Sequence, residues 1–294
     1  MTFDRTTDRS TQVSTSGGAP ADATGSPRAA RSSRIVRMLL SLGAAGLIVA
    51  GVVGTATAAS PAPSSRPGGE THRFCAAEWA AASANRTVET LRAVGNCEVD
   101  RRLVTLDQLD ARVAAAPQFS DLHEAQLRKI NNVNPASYEA EKAGLRELRG
   151  KINSETDLQK LRGLIADIAE EFRVYVLVVP KTHLVGGADA ADKAAGRLTQ
   201  LAVKLQELID RAKGNGKDVK DAQALLDNMQ RKTSQADAIV SPIADRIMPL
   251  SPADWNNGAA GPALGAARQS ITQARELLRG ARADAKQIIE LVRA

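Results

Sequence analysis

The sequence predicts an all-α protein in which an elongated antiparallel coiled-coil helical bundle follows a smaller helical region. Three observations support this fold class. From Thr71 onward, apolar residues recur at three- and four-residue spacing, which is typical of amphipathic helices. Aromatic residues make up only 3% of the chain, so packing depends on aliphatic side chains. One segment alone, residues 174–179, has high β-propensity, and a lone strand has nothing to pair with.

The N-terminal part predicts export. Residues 1–34 are a basic segment rich in Thr, Ser and Gly, which we expect to be disordered. Residues 35–58 predict a signal peptide or a membrane anchor, because an uncharged apolar run, Met38 to Gly54, follows four arginines. Those arginines are Arg28, Arg31, Arg34 and Arg37. Ala56-Thr57-Ala58 predicts signal cleavage between Ala58 and Ala59.

Two outcomes remain open for this run. Its 17 residues fall just short of the roughly 20 needed to span a bilayer comfortably, which favours cleavage over anchoring. In both cases the positive charge keeps the N-terminus in the cytoplasm and places the rest outside. We therefore expect a secreted or cell-envelope protein, or a single-pass membrane protein whose C-terminus is outside. Residues 59–71, rich in Pro, Ser and Gly, predict a flexible linker.

The two cysteines of an exported chain predict one disulfide, Cys75 to Cys97. A straight helix would separate their Cα atoms by roughly 33 Å, whereas a disulfide needs about 5.5 Å. The chain must therefore reverse between them. We expect a helical hairpin that turns at residues 83–85, with Asn85 capping a second helix from Arg86.

The rest of the N-terminal helical region, residues 72–180, carries further helix signals. Ser120 is placed to open one helix, Ser137 or Ala136 to begin the next, and Ser154, followed by Asp157, to cap a third. The last of these helices is expected to carry Phe172 and Tyr175 on its apolar face. The run Val174 to Pro180 is interpreted as a buried helix end, broken or kinked at Pro180.

Residues 181–294 predict an antiparallel three-helix coiled coil. Three apolar rows with 3-4 spacing run through residues 184–212, 219–247 and 264–292. Gly214-Asn215-Gly216 ends the first row, and the segment 249–254 ends the second. Short connections between such helices make the chain run up, down and up. Ser251, followed by Pro252 and Asp254, predicts the start of a short helix through Trp255.

Three segments carry a resemblance to other proteins. They are residues 87–98 (TVETLRAVGNCE), residues 173–181 (RVYVLVVPK) and the turn at 250–255 (LSPADW) before an Ala/Arg/Asp-rich final helix. Across most of residues 72–294 the chain resembles a set of uncharacterised exported helical proteins of high-GC Gram-positive bacteria. The resemblance implies an all-helical envelope or secreted protein and supplies no catalytic position.

No motif in the sequence predicts catalysis, a cofactor or a metal site. His72, His123 and His183 share no helical turn, so we expect no metal ligands among them. The carboxyl pairs Glu170/Glu171 and Glu139/Glu141 are interpreted as solvated surface. Gly186-Gly187 and Gly214-Asn215-Gly216 are interpreted as helix breakers, because neither follows a strand as a phosphate loop does.

The net charge and the aromatic content limit the classes of partner that we expect. The net charge is +6, but residues 1–58 hold six Arg and three Asp, which leaves +3 for the remainder. Because the signs are interleaved and aromatic residues are few, nucleic acid is not an expected partner. Asn85-Arg86-Thr87 matches a glycosylation acceptor, although a cap is the simpler role for Asn85. Trp79 and Trp255 could belong to a binding surface, but packing under a loop is the more usual role.

These observations predict a non-catalytic secreted or cell-envelope protein that acts through protein–protein interaction or as a structural element. Its partner would be an envelope protein or a second copy of itself, and membrane contact would come only from residues 35–58 if they stay uncleaved. One alternative is a membrane-tethered extracellular spacer or sensor. A second alternative is an envelope hydrolase whose site leaves no motif.

Overall fold

A computed structural model describes residues 74–293, and this part of the chain is helical with no strand. The all-α prediction is therefore confirmed there. The predictions for the basic segment 1–34, the signal or anchor 35–58 with its Ala58/Ala59 cleavage site, the linker 59–71 and His72 lie outside the described residues. Within residues 74–293, no helix combines the length and the apolar character that crossing a membrane requires.

The chain begins with the expected hairpin. Helix α1 (Ala76–Ala84) packs against α2 (Val88–Ala114), and Cys75 and Cys97 lie at disulfide distance with their Cα atoms 5.8 Å apart. The cap differs from the prediction. Thr87 caps α2 in a reciprocal arrangement with Thr90, whereas Asn85 lies in extended backbone after α1. Thr87 occupies the cap position because α2 begins at Val88, two residues later than expected.

Three shorter helices follow: α3 (Asp121–Arg128), α4 (Tyr138–Ser154) and α5 (Leu158–Glu170). Their first turns are capped by the side chains of Ser120, Ser137 and Asp157, each of which accepts a backbone N–H. The predicted starts at Ser120 and Ser137 are confirmed. The predicted cap at Ser154 is wrong, because Ser154 is the last residue of α4 and Asp157 caps α5 instead. Helices α4 and α5 pack against α2 and against each other.

Between α5 and the next helix lies a π-helical turn, Val174–Val178, which continues directly into α6 (Val179–Gly214). The segment is helical, as predicted, but it starts a helix instead of ending one. Pro180 lies in the first turn of α6, where a missing N–H is tolerated. The expected continuation of the α5 face to Tyr175 is wrong, because Arg173 adopts a left-handed conformation (φ 41°) that breaks the helix.

The remaining elements are α7 (Lys220–Val240), α8 (Ile243–Ile247), α9 (Pro252–Asn256) and α10 (Ala260–Arg293). The second apolar row therefore spans two helices, since Pro242 ends α7 and the row resumes in α8. Ser251 and Asp254 cap α9 reciprocally, which confirms the predicted start of that short helix. Helices α6, α7 and α10 pack pairwise against one another, and α8 packs against α6 and α10.

The apolar rows supply the core of these helices. Every row member in α7 and α8 from Ala222 to Ile247 is buried, as is every member in α10 from Leu264 to Ile288. Gly186 and Gly187 were expected to break a helix, yet both lie inside α6 and are buried. The reason is close packing: a Cβ on Gly186 would lie 2.6 Å from the Phe119 ring. Gly216, with φ +82°, does terminate α6 as predicted.

The N-terminal helices pack on the first half of α6. The Lys193 ammonium donates to the carbonyls of Pro117 and Phe119 at 2.6 and 2.9 Å, and the Tyr138 hydroxyl lies 2.6 Å from the Thr182 hydroxyl. One continuous core joins α2, α4 and α5 with α6, α7 and α10.

Candidate functional site

The most distinctive surface of the described chain lies along α2, beside the disulfide. We call it the aromatic–arginine surface and define it by Trp79, Glu98, Arg101, Arg102 and Tyr175. Trp79 is 45% exposed and Tyr175 is 37% exposed, which is unusual for rings of this size. Further exposed apolar side chains lie beside it in sequence: Phe74, Val104 and Val176.

Hydrogen bonds to Glu98 connect the first half of this surface. The Trp79 indole donates to one carboxylate oxygen of Glu98 at 3.1 Å. Arg101 and Arg102 donate to the other oxygen at 2.8 and 2.7 Å. Burial alone would raise the pKa of Glu98, but the hydrogen bonds from Trp79 and Arg102 and the two arginine charges hold that pKa below its usual value. Glu98 therefore stays ionised and fixes three side chains at once.

Cation–π contacts connect the second half. The Arg101 and Arg102 guanidinium carbons lie 4.9 and 5.3 Å from the centre of the Tyr175 ring. The Thr105 hydroxyl donates to the Arg101 carbonyl, so the Tyr175 hydroxyl donates to Thr105 across 3.4 Å. Tyr175 is thus held at its face and at its hydroxyl while one part of the ring remains exposed.

The π-helical turn places Tyr175 on this surface. π-turns are rare and often occur at functional sites. Arg173, which precedes the turn, carries the single positive φ of any non-glycine residue in the described chain. Its guanidinium donates to Asn256 at 2.8 Å, and Asn256 donates to the Glu170 carbonyl at 3.0 Å. These bonds hold the unusual backbone and connect the turn to α9.

The two described histidines, His123 and His183, do not converge. His183 lies exposed on α6, whereas His123 on α3 contacts Asp189 on α6, with Nδ1 2.7 Å from Oδ1. The second Asp189 oxygen accepts the Ser120 backbone N–H at 2.8 Å. Among residues 74–293, no group of three or more His, Cys, Asp or Glu side chains is placed to hold a metal ion.

A buried polar cluster lies where α4 meets α6. The Lys181 side chain is fully buried, and its ammonium donates to Asn134, Met248 and Leu250 at 2.8, 3.1 and 2.6 Å. Burial lowers the pKa of Lys181 to about 8, against the opposing charges of Glu141 and Asp254. Because the Lys181 side chain has no exposed surface and donates to three acceptors, its role is to join segments.

The interpretation of the carboxyl pairs as solvated surface is wrong for Glu141. Glu139, Glu170 and Glu171 are exposed, but Glu141 is buried and one of its oxygens has no hydrogen-bond partner. Burial raises the pKa of Glu141 to about 8, although the charge of Lys181 acts in the other direction. Nothing in the sequence distinguishes Glu141 from a surface residue, because it lies in the first turn of a helix among other charged residues.

The two tryptophans differ in how far they are buried. Trp255 packs against the core near a loop, as expected, whereas Trp79 lies half-exposed in the middle of α1. The packing interpretation is therefore wrong for Trp79. Sequence reasoning missed Arg101, Arg102 and Tyr175 as a group, since Tyr175 is 70 residues from Thr105 in the chain.

Comparison with protein-family models, with curated proteins and with solved structures finds no significant match to this chain.

Proposed function

We propose that this protein is a non-catalytic exported helical protein that binds a partner protein through the aromatic–arginine surface. The observation that carries the proposal is the continuous chain of contacts from Trp79 through Glu98 and Arg101 to Tyr175. Trp, Tyr and Arg are the residues most enriched among those that dominate protein–protein binding energies.

Preorganisation supports this role. The hydrogen bond to Glu98 fixes Trp79, and stacking with hydrogen bonding fixes Tyr175. When a partner covers these rings, Trp79 and Tyr175 lose little side-chain entropy, because both are already ordered. Both rings also keep enough exposed area to bury on binding.

We further propose that α6, α7 and α10 form an elongated antiparallel coiled-coil bundle that presents this surface. Contacts between side chains support the directions. Gln206 of α6 pairs with Gln223 of α7 at 3.1 Å, and Asp284 of α10 accepts from Asn228 and Lys232 of α7 at 2.9 Å. At 1.5 Å per residue, the 36 residues of α6 extend for roughly 54 Å.

From the sequence, we propose that the protein is exported. A cleaved signal would release the protein, whereas an uncleaved run Met38 to Gly54 would tether the bundle outside the membrane as a spacer or sensor. N-terminal sequencing of the cell-associated protein separates the two, because a start at Ala59 eliminates the tether.

The binding role is tested by site-specific photo-crosslinking in intact cells. A benzoylphenylalanine replaces Trp79 in one variant, Tyr175 in a second and Val203 in a third. Val203 is the matched control because it is an exposed apolar residue on α6, away from the aromatic–arginine surface. We expect a discrete crosslinked product from positions 79 and 175 and none from position 203.

The product is then identified by mass spectrometry, which separates a second copy of this chain from another envelope protein. A Glu98→Gln change in the position-175 variant should weaken crosslinking, since it loosens both arginines. Equal crosslinking from all three positions, or none from positions 79 and 175 in cells that export folded protein, would refute the proposal.

A further inference from the structure

A cleft opens between the C-terminal ends of α6 and α10, at the end of these helices far from the aromatic–arginine surface. Its volume is about 330 Å³. Its wall has an apolar part and a cationic part. The apolar residues are Leu208, Ile289 and Val292, and the cationic residues are Arg211, Lys217 and Arg293.

The charged side chains that line this cleft are all cationic among the described residues. Each helix C-terminus carries roughly −0.5 of an elementary charge, which favours cations at this end. Lys217 donates to the Val292 carbonyl at 3.2 Å, and Arg211 donates to the Glu207 carbonyl at 3.2 Å. Among residues 74–293, no acidic side chain lines the cleft. The side chains of Arg211 and Arg293 lie on the same wall and can both reach an anion placed there.

The apolar part is also incompletely covered. Leu208 belongs to the apolar row of α6, whose preceding member Leu205 and following member Ala212 are buried. Leu208 itself is 36% exposed and faces the cleft. An aliphatic body placed there would bury this side chain and gain the corresponding transfer free energy.

We propose that this cleft binds a small amphipathic anion, with a carboxylate or phosphate head held by Arg211 and Arg293. A short aliphatic body would lie on Leu208, Ile289 and Val292. The volume is in the range of small-molecule sites, which combine an apolar lining with a few converging polar groups. A free acyl anion and the C-terminus of an apolar peptide share this chemistry. The site is independent of the protein-binding role proposed above.

Isothermal titration calorimetry of the purified protein tests this binding with octanoate and octyl phosphate. Octanol, which lacks the anionic head, and inorganic phosphate, which lacks the apolar body, are the ligand controls. A trileucine peptide with a free C-terminus, compared with its amide, distinguishes a peptide source from a free acyl anion. We expect binding of the amphipathic anions and no measurable binding of octanol or phosphate.

The decisive variant is the double change Arg211→Gln with Arg293→Gln, which should weaken binding by about tenfold or more, since two charge-assisted bonds are lost. Arg268→Gln is the matched control, because Arg268 is exposed on α10 outside the cleft. Circular dichroism confirms that each variant is folded. The proposal is overturned if neither octanoate, octyl phosphate nor trileucine binds. It is also overturned if phosphate binds as tightly as octyl phosphate, or if the double variant binds like the Arg268 variant.

Discussion

The ammonium of Lys181 lies 2.6 Å from the carbonyl oxygen of Leu250, 69 residues away in the chain. The same ammonium donates to the Met248 carbonyl and to the Asn134 side chain. A single buried cation therefore joins the first turn of α6 to the α8–α9 connection and to the loop before α4. Three acceptors inside the protein depend on it.

Replacing Lys181 with Met should destabilise the protein by about 3 kcal/mol, because three buried acceptors lose their donor while the aliphatic volume is kept. Chemical denaturation measures the free energy of unfolding. Hydrogen exchange should rise locally in residues 248–256, which the ammonium holds. Lys204→Met is the control, since Lys204 is exposed on the same helix and should change stability little. An equal effect of both changes would contradict the role assigned to Lys181.

Two glycines of α6 should respond in opposite directions to alanine. A Cβ on Gly186 would lie 2.6 Å from the Phe119 ring, whereas a Cβ on Gly196 would meet nothing within 4 Å. Gly196→Ala should stabilise the protein by about 0.5–1 kcal/mol through helix propensity. Gly186→Ala should destabilise it by about 1–3 kcal/mol through overpacking. Thermal unfolding of the two variants measures both effects, and stabilisation by both changes would show that Phe119 moves aside freely.

Glu141 should make stability depend on pH. Its pKa rises from 4.5 to about 8 on burial, so the folded state binds the extra proton between these values. Stability should therefore fall as pH rises through this window, because folding must then either take up a proton from solution or bury the charged form. Glu141→Gln stays neutral, and its advantage over the unaltered protein should grow by about 3–4 kcal/mol between pH 5 and pH 8.

Urea unfolding at pH 5, 6.5 and 8 measures this difference. Glu147→Gln is the control, since Glu147 is exposed on the same helix α4. The Glu141 assignment would fail if the difference between variant and unaltered protein were the same at all three values.

His123 should titrate above its ordinary pKa of 6.5. The hydrogen bond to Asp189 raises its pKa against the effect of burial, and the charges of Asp189, Asp245 and Asp192 add to the rise. The ion pair stabilises the fold fully below pH 6.5, and this stabilisation is lost as pH rises through the folded pKa. NMR titration of the imidazole measures that pKa directly.

Asp189→Asn should lower the His123 pKa and flatten the pH dependence of stability above 6.5. Glu207→Gln, far along α6, should leave the titration unchanged. An unchanged His123 pKa in the Asp189 variant would show that the pair is not the cause of the shift.

Structural features that depend on one short segment of the chain could be predicted from the sequence. The caps at Ser120, Ser137 and Ser251 follow from side chains that bond to backbone three residues away. The apolar rows of α7 and α10 follow from helical periodicity alone. The disulfide partners followed because the described chain has only two cysteines to pair.

Features that depend on contacts between distant segments could not be predicted from the sequence. Gly186 resembles a helix breaker until the Phe119 ring is placed against it, and Glu141 resembles a surface residue until α6 covers it. The aromatic–arginine surface requires a left-handed Arg173, held by Asn256 from 83 residues away, before Tyr175 can reach Arg101.

The amino-acid order by itself determined that this chain forms amphipathic helices, where several of them begin and which faces most of them bury. Those outcomes depend on periodicity and on bonds within a single turn. Only the tertiary structure decided which charged groups are buried and which aromatic rings remain exposed. The reason is that burial depends on which helix covers a side chain, and contacts between elements far apart in the chain set that choice.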